Sequence, residues 1–452
     1  MRLLGLKTFR HGVHPPELKD ETRELAIRQF PFAPVLIVPL VQHIGKPSVP
    51  VVVEGQEVAR GQLLARADGF MSVAMHAPAT GRIRKIGLTA SITGRMVPGV
   101  FLEPFPGSTQ EVAEGEPCSW ETASKEEILT AIQSAGIVGL GGAAFPSHVK
   151  LSIPEGKSID TVIINGVECE PHLTTDHRVM LEQAADIFVG IRYVLKVSGA
   201  KRVIIGVEGN KPDAVRHLRA TLPADLPATV ETLPVKYPQG AEKMLIRALL
   251  GREVPSGGLP LDVGAICINV ATTAEIGRLL PHGRGIQERI VTVTGPAVKE
   301  KGNYRIAIGT PLRFLLETVG VSGDVGRVFL GGPMMGQAVS SLDIPLTKGT
   351  SGVVAFTDKE VERTHQTVYP CIRCGYCVDA CPIFLNPSQL GLLSLNEEYD
   401  RMKEESNLMD CFECGSCSFV CPSHIPLVQQ FRAAKAIVRK RAQMEVTGGR
   451  SR

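Results

Sequence analysis

Eight cysteines near the end of the chain repeat one spacing. Each set of four spells Cys-x-x-Cys-x-x-Cys-x-x-x-Cys-Pro, and the two sets are Cys371, Cys374, Cys377 and Cys381, then Cys411, Cys414, Cys417 and Cys421. This spacing is the bacterial ferredoxin run, in which thiolates ligate the irons of a cubane cluster. A single Cys-x-x-Cys would say little, but two copies of the whole run predict two [4Fe–4S] clusters.

The fourth cysteine of such a run, the one before proline, usually ligates the other cluster. We therefore expect one cluster on Cys371, Cys374, Cys377 and Cys421, and the second on Cys411, Cys414, Cys417 and Cys381. Zinc sites and a disulfide framework are the alternatives, but zinc motifs normally use two separated cysteine pairs, often with histidine. The other three cysteines are scattered, at Cys118, Cys169 and Cys267, which argues against disulfides.

A glycine-rich stretch, GIVGLGGAAFP, is the second candidate for chemistry. It contains Gly136, Gly139, Gly141 and Gly142. Glycines let a backbone turn tightly and approach a ligand, and their exposed N–H groups can surround a phosphate. The spacing matches neither the G-x-G-x-x-G dinucleotide fingerprint nor the Walker A loop. Taken alone, the stretch is therefore equally consistent with an ordinary connecting loop.

A polar turn follows the short apolar strand that begins at Val162. Asn165 ends this strand, and the carboxylates Glu168 and Glu170 follow within the sequence NGVECEP. Polar groups at the carboxyl end of a parallel strand are where ligands of α/β proteins bind. A solvated turn is the simpler interpretation of this motif if it is considered alone.

The length and composition of the chain limit the kind of fold that can position these residues. The chain has 452 residues, enough for about three domains, and 44% hydrophobic residues, which is typical of a globular protein. A net charge of +3 gives no reason to expect nucleic-acid binding. No apolar run is long enough for a transmembrane helix or a signal peptide, so we expect membrane attachment only through partners. Free thiols and clusters favour the reducing cytoplasm.

Four modules are expected. Residues 1–121 are rich in short strands and resemble the barrel sandwich of biotinyl and lipoyl carriers, but the hairpin tip near Phe70 has no lysine, so no such group is predicted. Residues 122–285 alternate helices and strands, including one helix over Val179 to Ser198, and predict an α/β domain with a mainly parallel sheet. Residues 286–357 follow the β-β-α-β order of a small β-grasp module.

Residues 358–452 should form a mostly helical domain with two clusters, like an expanded ferredoxin. Ser388 to Lys403 has helical periodicity between the cysteine runs. Val428 to Ala442 is expected to form a basic helix, whose charges are either a solvated face or a docking surface for an acidic partner.

The two loop motifs resemble those of a known family. GLGGAAFP and NGVECEP are similar to the GRGGAGFP and NGDESEP loops of the FMN-binding, NADH-oxidising subunit of respiratory complex I. The closer resemblance is to the RnfC family, the C components of Rnf (Rsx) electron-transport complexes. It includes TFRHGVHPPELK from Thr8, HLTTDHRVM from His172, GGPMMG from Gly331 and both cysteine runs. The resemblance covers about residues 8–440 in the same order.

The resemblance implies an oxidoreductase subunit with noncovalent FMN, NAD(H) as substrate and two [4Fe–4S] clusters. Its partners would be the other subunits of the membrane complex, including an iron–sulfur subunit, and ultimately ferredoxin. Such a subunit lies peripherally on the cytoplasmic face of the bacterial inner membrane. The complex exchanges electrons between ferredoxin and NAD+ and couples this to ion transport. The cofactors perform the chemistry, so no side chain is expected to act as a catalytic acid, base or nucleophile.

The resemblance also assigns residues to the flavin site. Gly139, Gly141 and Gly142 would face the phosphate, and Lys150 would contact the flavin.

Further flavin positions are Asn165 and Glu168, while Glu170 matches a carboxylate near the nicotinamide. Asn269 and Thr272 match residues on the phosphate side of the flavin.

A third loop, YPQGAEKM, aligns with the YICGEE loop of complex I, which lines the FMN and NADH pocket. This assigns Tyr237, Gly240 and Glu242 to the pocket. Two positions depart from the complex I pattern, because Val167 replaces an aspartate and Ala241 replaces a carboxylate.

Two other functions fit part of the pattern. Cobalamin reductases of the propanediol-utilisation type resemble this family, but they tend to begin near the glycine-rich loop, whereas this chain has over 120 residues before it. An electron carrier that has lost its flavin would keep the clusters alone. Flavin content separates this second alternative from a flavoprotein.

Overall fold

The computed structural model describes residues 7–364 and 367–448. The first part of the chain, which we call the N-terminal segment (residues 7–29), has little regular structure and ends in strand β1 (Ile27–Gln29). It crosses the surfaces of the later modules instead of packing only with the first. It contacts residues more than 200 positions away in sequence, as the pairing of Val13 with Tyr237 shows.

The first module is a sandwich of two small antiparallel sheets. Their orders are β2-β8-β7-β4 and β3-β5-β6. The hairpin between β5 and β6 docks on the second module, where Gln133 Nε2 donates to the carbonyls of Gly69 at 2.9 Å and Ser72 at 3.0 Å. The strands are β2 (Leu36–Pro39), β3 (Val49–Pro50), β4 (Glu57–Val58), β5 (Leu63–Arg66), β6 (Met75–His76), β7 (Gly81–Ala90) and β8 (Met96–Pro104).

The second module is a four-stranded, fully parallel sheet in the order β11-β10-β9-β12, flanked by helices. Its elements are α1 (Lys125–Ser134), α2 (Ser147–Leu151), β9 (Thr161–Gly166), α3 (Thr175–Glu182), α4 (Ala184–Ser198), β10 (Arg202–Glu208), α5 (Pro212–Thr221), β11 (Ala228–Leu233), α6 (Glu242–Leu250), β12 (Ala265–Asn269) and α7 (Val270–Leu279). Two 3₁₀ turns cover Pro260–Val263 and Leu280–His282. The predicted α/β architecture is confirmed.

Local sequence explains several boundaries of the second module. Helix α1 begins with a capping box, in which Ser124 and Glu127 satisfy each other's backbone N–H groups. Helices α4 and α7 pack backbone to backbone, because a Cβ on Gly277 would lie 2.0 Å from the Asp186 carbonyl oxygen. The single helix predicted over 179–198 is wrong in detail: Gln183, at φ −128° and ψ 31°, separates α3 from α4.

The third module is a six-stranded sheet in the order β1-β14-β13-β17-β15-β16. The β-β-α-β core has the predicted β-grasp order. An addition not anticipated from the sequence is β1, which the N-terminal segment contributes in parallel to β14. The elements are β13 (Glu288–Thr294), β14 (Gly302–Ala307), α8 (Leu312–Val319), β15 (Val325–Leu330), β16 (Gln337–Ala338) and β17 (Gly352–Thr357), followed by α9 (Asp358–Thr364).

The fourth module is helical, as predicted, and is organised around the two cysteine runs. Its core includes Leu390, Met402, Leu408 and Phe431. The predicted helix over 388–403 is divided, because Glu397 has a left-handed φ of 55° that an α-helix cannot contain. The helices are α10 (Tyr376–Ala380), α11 (Pro387–Leu395), α12 (Tyr399–Glu404), α13 (Ser416–Phe419) and α14 (Leu427–Gly448), with a 3₁₀ turn at Leu408–Asp410.

Candidate functional site

The strand order of the parallel sheet reverses between β9 and β12, and we call the carboxyl edge of the sheet at this point the crevice. From β9 the chain proceeds through β10 and β11 on one side and then returns to place β12 on the other side. Asn165 near the end of β9 pairs in register with Asn269 at the end of β12. Reversal of strand order is the position at which open α/β sheets bind ligands. The two asparagines thus mark the expected binding edge.

The glycine-rich loop lies over the beginning of α7 at this edge. Leu140 N donates to Thr272 Oγ1 at 2.8 Å, and Asn269 caps the helix by accepting from Thr272 N at 3.1 Å. A Cβ on Gly141 would lie 3.3 Å from Asn269 Nδ2. The positive end of a helix together with loop N–H groups is suited to binding a phosphate. The loop and α7 therefore fit the phosphate of a flavin nucleotide.

Two glycines of the loop have distinct roles. Gly139 closes it, donating its N–H to the Phe145 carbonyl at 2.8 Å and accepting from Ala144 N at 3.1 Å. Gly142 has φ +107°, which is unfavourable for other residues, and a Cβ there would meet nothing within 4 Å. The loop is thus fixed at its base, while open space lies beside Gly142.

A charged pair stands on the other side of the crevice. Lys150 Nζ lies 2.5 Å from Glu242 Oε1, and Asn165 Nδ2 donates to the Gly240 carbonyl at 2.8 Å. Burial is the largest single influence and lowers the pKa of Lys150, but the charge and hydrogen bond of Glu242 together with Cys267 outweigh it and raise that pKa above its usual value. A Cβ on Gly240 would lie 2.3 Å from the Val167 carbonyl oxygen, so this loop has room for glycine alone. The structure brings these four predicted residues together.

Glu168 has a role that the sequence did not indicate. Its buried carboxylate accepts from the backbone N–H groups of Asp176 at 2.8 Å and His177 at 3.3 Å, in the first turn of α3. Its carbonyl accepts from Lys19 Nζ at 2.7 Å, so the N-terminal segment is fixed to the same turn. A carboxylate at a helix N-terminus is stabilising. Glu168 therefore shapes the edge of the crevice through α3.

Glu170 connects the second module to the third. Its carboxylate accepts from Met334 N at 3.1 Å and Met335 N at 2.8 Å, in the GGPMMG turn. Burial raises the pKa of Glu170, and these two hydrogen bonds only partly oppose that effect. The Tyr237 hydroxyl lies 3.5 Å away. The residue matched to the nicotinamide side of the pocket is thus also a contact between modules.

Tyr237 lies where the second and fourth modules meet. It is 1% exposed, and its hydroxyl donates to the Cys414 carbonyl at 2.6 Å. Its backbone pairs with Val13 in both directions, at 2.8 and 2.9 Å. Together with Ala380 these residues form a small apolar cluster between the modules. No spacing in the sequence indicates this contact, because the partners are distant along the chain.

The eight cysteines of the two runs lie in two groups of four. Cys377 has Cys371, Cys374 and Cys421 as its charged neighbours. Burial is the main cause that raises the pKa of the Cys377 thiol, and the neighbouring thiolates raise it further. We call these four the first group.

The second group is Cys417 with Cys411, Cys414 and Cys381, whose thiolates add to burial in raising the pKa of Cys417. The last cysteine of each run thus lies with the other run. Over residues 7–364 and 367–448, no three His, Cys, Asp or Glu side chains are close enough together to bind a single metal ion. A cubane needs a wider arrangement, because each of its four irons takes one thiolate. The donors fit two [4Fe–4S] clusters.

The basic residues of α14 face inward at two positions. Arg432 Nε lies 3.2 Å from Glu413 Oε2, and Lys435 Nζ lies 3.1 Å from Glu413 Oε1 and also donates to the Cys411 carbonyl. Lys435 is 4% exposed. At Lys435 both interpretations of the basic helix, a solvated face and a docking surface, are wrong, because this buried charge bonds Glu413 and the Cys411 carbonyl of the second group. Arg432 is partly exposed and pairs with the same carboxylate.

Among residues 7–364 and 367–448, none of the helices is both long and apolar enough to cross a bilayer.

Comparison with protein families assigns each module. Residues 7–105 match the RnfC barrel sandwich hybrid domain and residues 132–278 the Nuo51 FMN-binding domain. Residues 290–338 match the SLBB domain and residues 370–425 a 4Fe-4S dicluster domain. These matches confirm the expected fold of the four modules and the expected cofactors, FMN and two [4Fe–4S] clusters.

Relatives that align over nearly the whole chain support the same family assignment. The chain is 42% identical to the C component of the proton-translocating ferredoxin:NAD(+) oxidoreductase complex of Clostridium ljungdahlii, covering 97% of this chain and 96% of the relative. It is 40% identical to the C component of the Na(+)-translocating complex of Acetobacterium woodii, covering 95% and 96%. An NAD+-reducing [NiFe]-hydrogenase structure is 19% identical over 76% of this chain and 74% of that one, with a TM-score of 0.48, which is too distant to inform function.

Extensive identity to these relatives and a match to the RnfC domain at residues 7–105 lead to one conclusion. The chain belongs to the RnfC family of ion-translocating ferredoxin:NAD(+) oxidoreductase complexes.

Proposed function

We propose that this chain is the electron-transfer subunit at which NAD(H) exchanges electrons with a membrane-bound ferredoxin:NAD+ oxidoreductase that transports ions. The observation that carries the proposal is the combination, in one chain, of an FMN-binding domain with a dicluster domain. Relatives that are aligned over nearly their full length are named as subunits of such complexes. The other subunits of the complex are the expected partners, and electrons pass through an iron–sulfur subunit to ferredoxin.

The proposed flavin site is the crevice at the carboxyl edge of the sheet. Its residues are those carried over from the resemblance: Gly139, Gly141, Gly142, Lys150, Asn165, Glu168, Glu170, Tyr237, Gly240, Glu242, Asn269 and Thr272. Support comes from the position of the loop on α7 and from the switch in strand order. The proposed cluster ligands are the first and second groups of cysteines.

FMN supplies the ability to accept a hydride from NADH and to release electrons singly, which iron–sulfur clusters require. The residues of the chain bind and orient. The glycine-rich loop and the N-terminus of α7 would hold the phosphate, and the Lys150–Glu242 pair would line the opposite wall. Burial and backbone hydrogen bonds around the thiolates would set the cluster potentials.

The second group of cysteines is the one proposed to receive electrons from the flavin. Tyr237 in the second module donates to Cys414, and a Cβ on Gly415 would lie 3.0 Å from the Met334 carbonyl. The first group lies farther out, with Cys374 exposed. The proposed order is flavin, second group, first group, partner subunit.

The proposed location is the cytoplasmic face of the bacterial inner membrane, where partner subunits would hold the chain peripherally. The relatives are named as subunits of ion-translocating complexes, and the described helices do not span a bilayer. Membrane association should therefore require the partners. Expression of the chain with and without the other subunits, followed by membrane fractionation, tests this directly.

Anaerobic purification followed by titration with NADH tests the proposed function. We expect about eight irons per chain, as two cubanes require, together with one FMN. NADH should bleach the flavin first and then the clusters. Iron without flavin, even after FMN is supplied, would instead indicate a pure electron carrier.

Gly141→Glu tests the position of the flavin. A side chain at this position points towards Asn269, and its carboxylate would repel a phosphate. We expect loss of FMN and of NADH oxidation, while both clusters remain reducible by dithionite. Flavin retained at normal affinity would place the phosphate elsewhere.

A further inference from the structure

The glycine-rich loop is supported from below by a buried arginine of the third module. Arg289, on β13, is 4% exposed. Its guanidinium donates through Nη2 to the Leu140 carbonyl and through Nε to the Lys348 carbonyl, the latter at 3.0 Å. Leu140 stands between Gly139 and Gly141, so Arg289 holds the centre of the loop.

A buried lysine supports the start of the same stretch. Lys348 is 1% exposed, and its Nζ donates to the carbonyls of Gly136 and Ala74, both at 2.7 Å. A Cβ on Gly136 would lie 2.6 Å from that Nζ, so the lysine requires glycine there. Because Ala74 belongs to the first module, Lys348 joins three modules at the base of the loop.

The two buried cations differ in their counter-charges. Within the described part of the chain, the hydrogen bonds of both side chains go to carbonyl oxygens rather than to carboxylates. The carboxylates of Asp176, Glu275 and Glu168 nevertheless act on Arg289 and oppose the effect of its burial. Lys348 has burial alone acting on it, which lowers its pKa to about 7. Burying a charge is costly unless it is paired, and an anion at the loop would supply the charge that Lys348 lacks.

We propose that Arg289 and Lys348 are positioning residues for FMN, holding the glycine-rich loop open around the phosphate, whose charge in turn compensates the buried Lys348. This gives the third module a role in flavin binding. The proposal rests on the phosphate lying at the glycine-rich loop, as proposed above. Neither residue is needed to touch the flavin.

Lys348→Met tests the lysine. Methionine keeps much of the length and removes a buried charge, so the full chain should fold. The measurement is the Kd of FMN for anaerobically deflavinated protein, from quenching of flavin fluorescence. We expect binding at least tenfold weaker with iron content unchanged. Lys301→Met is the matched control and should bind FMN normally. Lys301 lies in the same module as Lys348, and its ion pair is with Glu21 of the N-terminal segment.

Arg289→Met tests the arginine, and Arg289→Lys tests rescue. Methionine removes both donors to the loop, whereas lysine restores a positive charge with one donor group. We expect a larger loss of FMN affinity for methionine than for lysine. Arg305→Met, on the neighbouring strand β14, is the control. If Arg289→Met also loses its iron, the variant has misfolded. The FMN affinity of Lys348→Met then tests the positioning role.

The pH profile separates this role from simple scaffolding. An anion stabilises charged Lys348, so FMN binding should be tightest near pH 7 and weaken towards pH 9 as the free protein loses that proton. The phosphate is already doubly charged in this range, because its second pKa is about 6. The nearby His43 and His76 have lowered pKa values and stay neutral, and Arg289 stays charged. Asp176, which accepts from Asn269 Nδ2 beside the loop, has a pKa raised to about 7 by burial and by Glu168, so it also titrates in this range. Lys348→Met should therefore remove the part of the profile that belongs to Lys348 and leave a shallower one.

The outcomes are distinguishable. Normal FMN affinity in both Lys348→Met and Arg289→Met, with Gly141→Glu losing its flavin, would overturn the positioning role alone. Flavin retained by Gly141→Glu would overturn the phosphate location and this proposal with it. A pH profile from pH 7 to pH 9 that is the same in Lys348→Met as in the unmodified protein would overturn the charge compensation by Lys348.

Discussion

The two groups of cysteines have the same spacing in sequence but opposite surroundings. The first group includes exposed Cys374 and has apolar side chains on the surface beside it, with Tyr369 57% and Ile372 68% exposed. The second group is enclosed by Tyr237, the GGPMMG turn and the inward charges of α14. The spacing of the cysteines thus determines the type of cluster that binds. The surrounding fold determines the partner with which each cluster exchanges electrons.

Removing one cysteine ligand from either group should have the largest effect on the difference between the two clusters. Cys417→Ser and Cys374→Ser should each reduce the iron to about four per chain, since one cubane is lost. With Cys417→Ser, NADH should reduce the flavin but not the remaining cluster, because the connection to the flavin is missing. With Cys374→Ser, NADH should still reduce the second-group cluster. Electron paramagnetic resonance after adding NADH measures both.

The order of the groups would be reversed if NADH reduced the surviving cluster in Cys417→Ser but not in Cys374→Ser. Dithionite serves as the control, because it should reduce the surviving cluster in either variant.

Lys435→Met should destabilise the second group selectively. Among the described residues it leaves Glu413 paired with Arg432, and it leaves the Cys411 carbonyl without this donor. Removing one partner of a buried ion pair costs about 3–5 kcal/mol, and the loss here should lie at or below the lower end because Arg432 still pairs with Glu413. We expect a melting temperature several degrees lower and faster iron release from the second group. Arg441→Met, which removes an exposed pair with Asp400, is the control and should change little.

Chelator treatment should distinguish the groups without mutation. Because Cys374 is exposed whereas Cys414, at the same position in the second run, is only partly exposed, the first cluster should lose its iron several-fold faster. Iron release measured with a coloured chelator should therefore have two phases of equal size. The fast phase should be absent in Cys374→Ser and present in Cys417→Ser, and the opposite assignment would contradict the difference in exposure.

Tyr237→Phe should give the smallest effect and would sharpen the comparison. The change removes a donor to the Cys414 carbonyl and keeps the ring. Loss of one hydrogen bond costs about 1 kcal/mol, which corresponds to roughly 40 mV for one electron. We expect the potential of the second cluster to become more negative by this amount or less, and that of the first to stay constant. An equal shift in both would show a general effect.

Local chemistry was largely predictable from the sequence. The cysteine runs indicated the ligand groups because the spacing is imposed by the cluster itself, and alternating strands and helices indicated the parallel sheet. The breaks at Gln183 and Glu397 were missed, because each depends on one backbone conformation inside a helical pattern. Propensity summed over many residues does not locate such breaks.

Contacts between distant residues were not predictable. Lys150 and Glu242 are 92 positions apart, and Arg289 and Leu140 are 149 positions apart. Glu168 and Glu170 were correctly noted as polar groups at the end of a strand. Their partners, a helix terminus and a turn of another module, depend on tertiary packing that no single-sequence pattern encodes.

The N-terminal segment has a consequence for the way this protein is made. Gly12 donates to the Ala380 carbonyl, and His11 bonds to Cys381, 370 positions later. During synthesis the segment leaves the ribosome before the cysteine-rich region, but its binding surface is completed only when that region has emerged. Domains near the start of a chain commonly fold while translation continues. Here the N-terminal segment must wait for the cysteine-rich region that it contacts, so its docking and the assembly of the iron centres are expected in the same stage of folding.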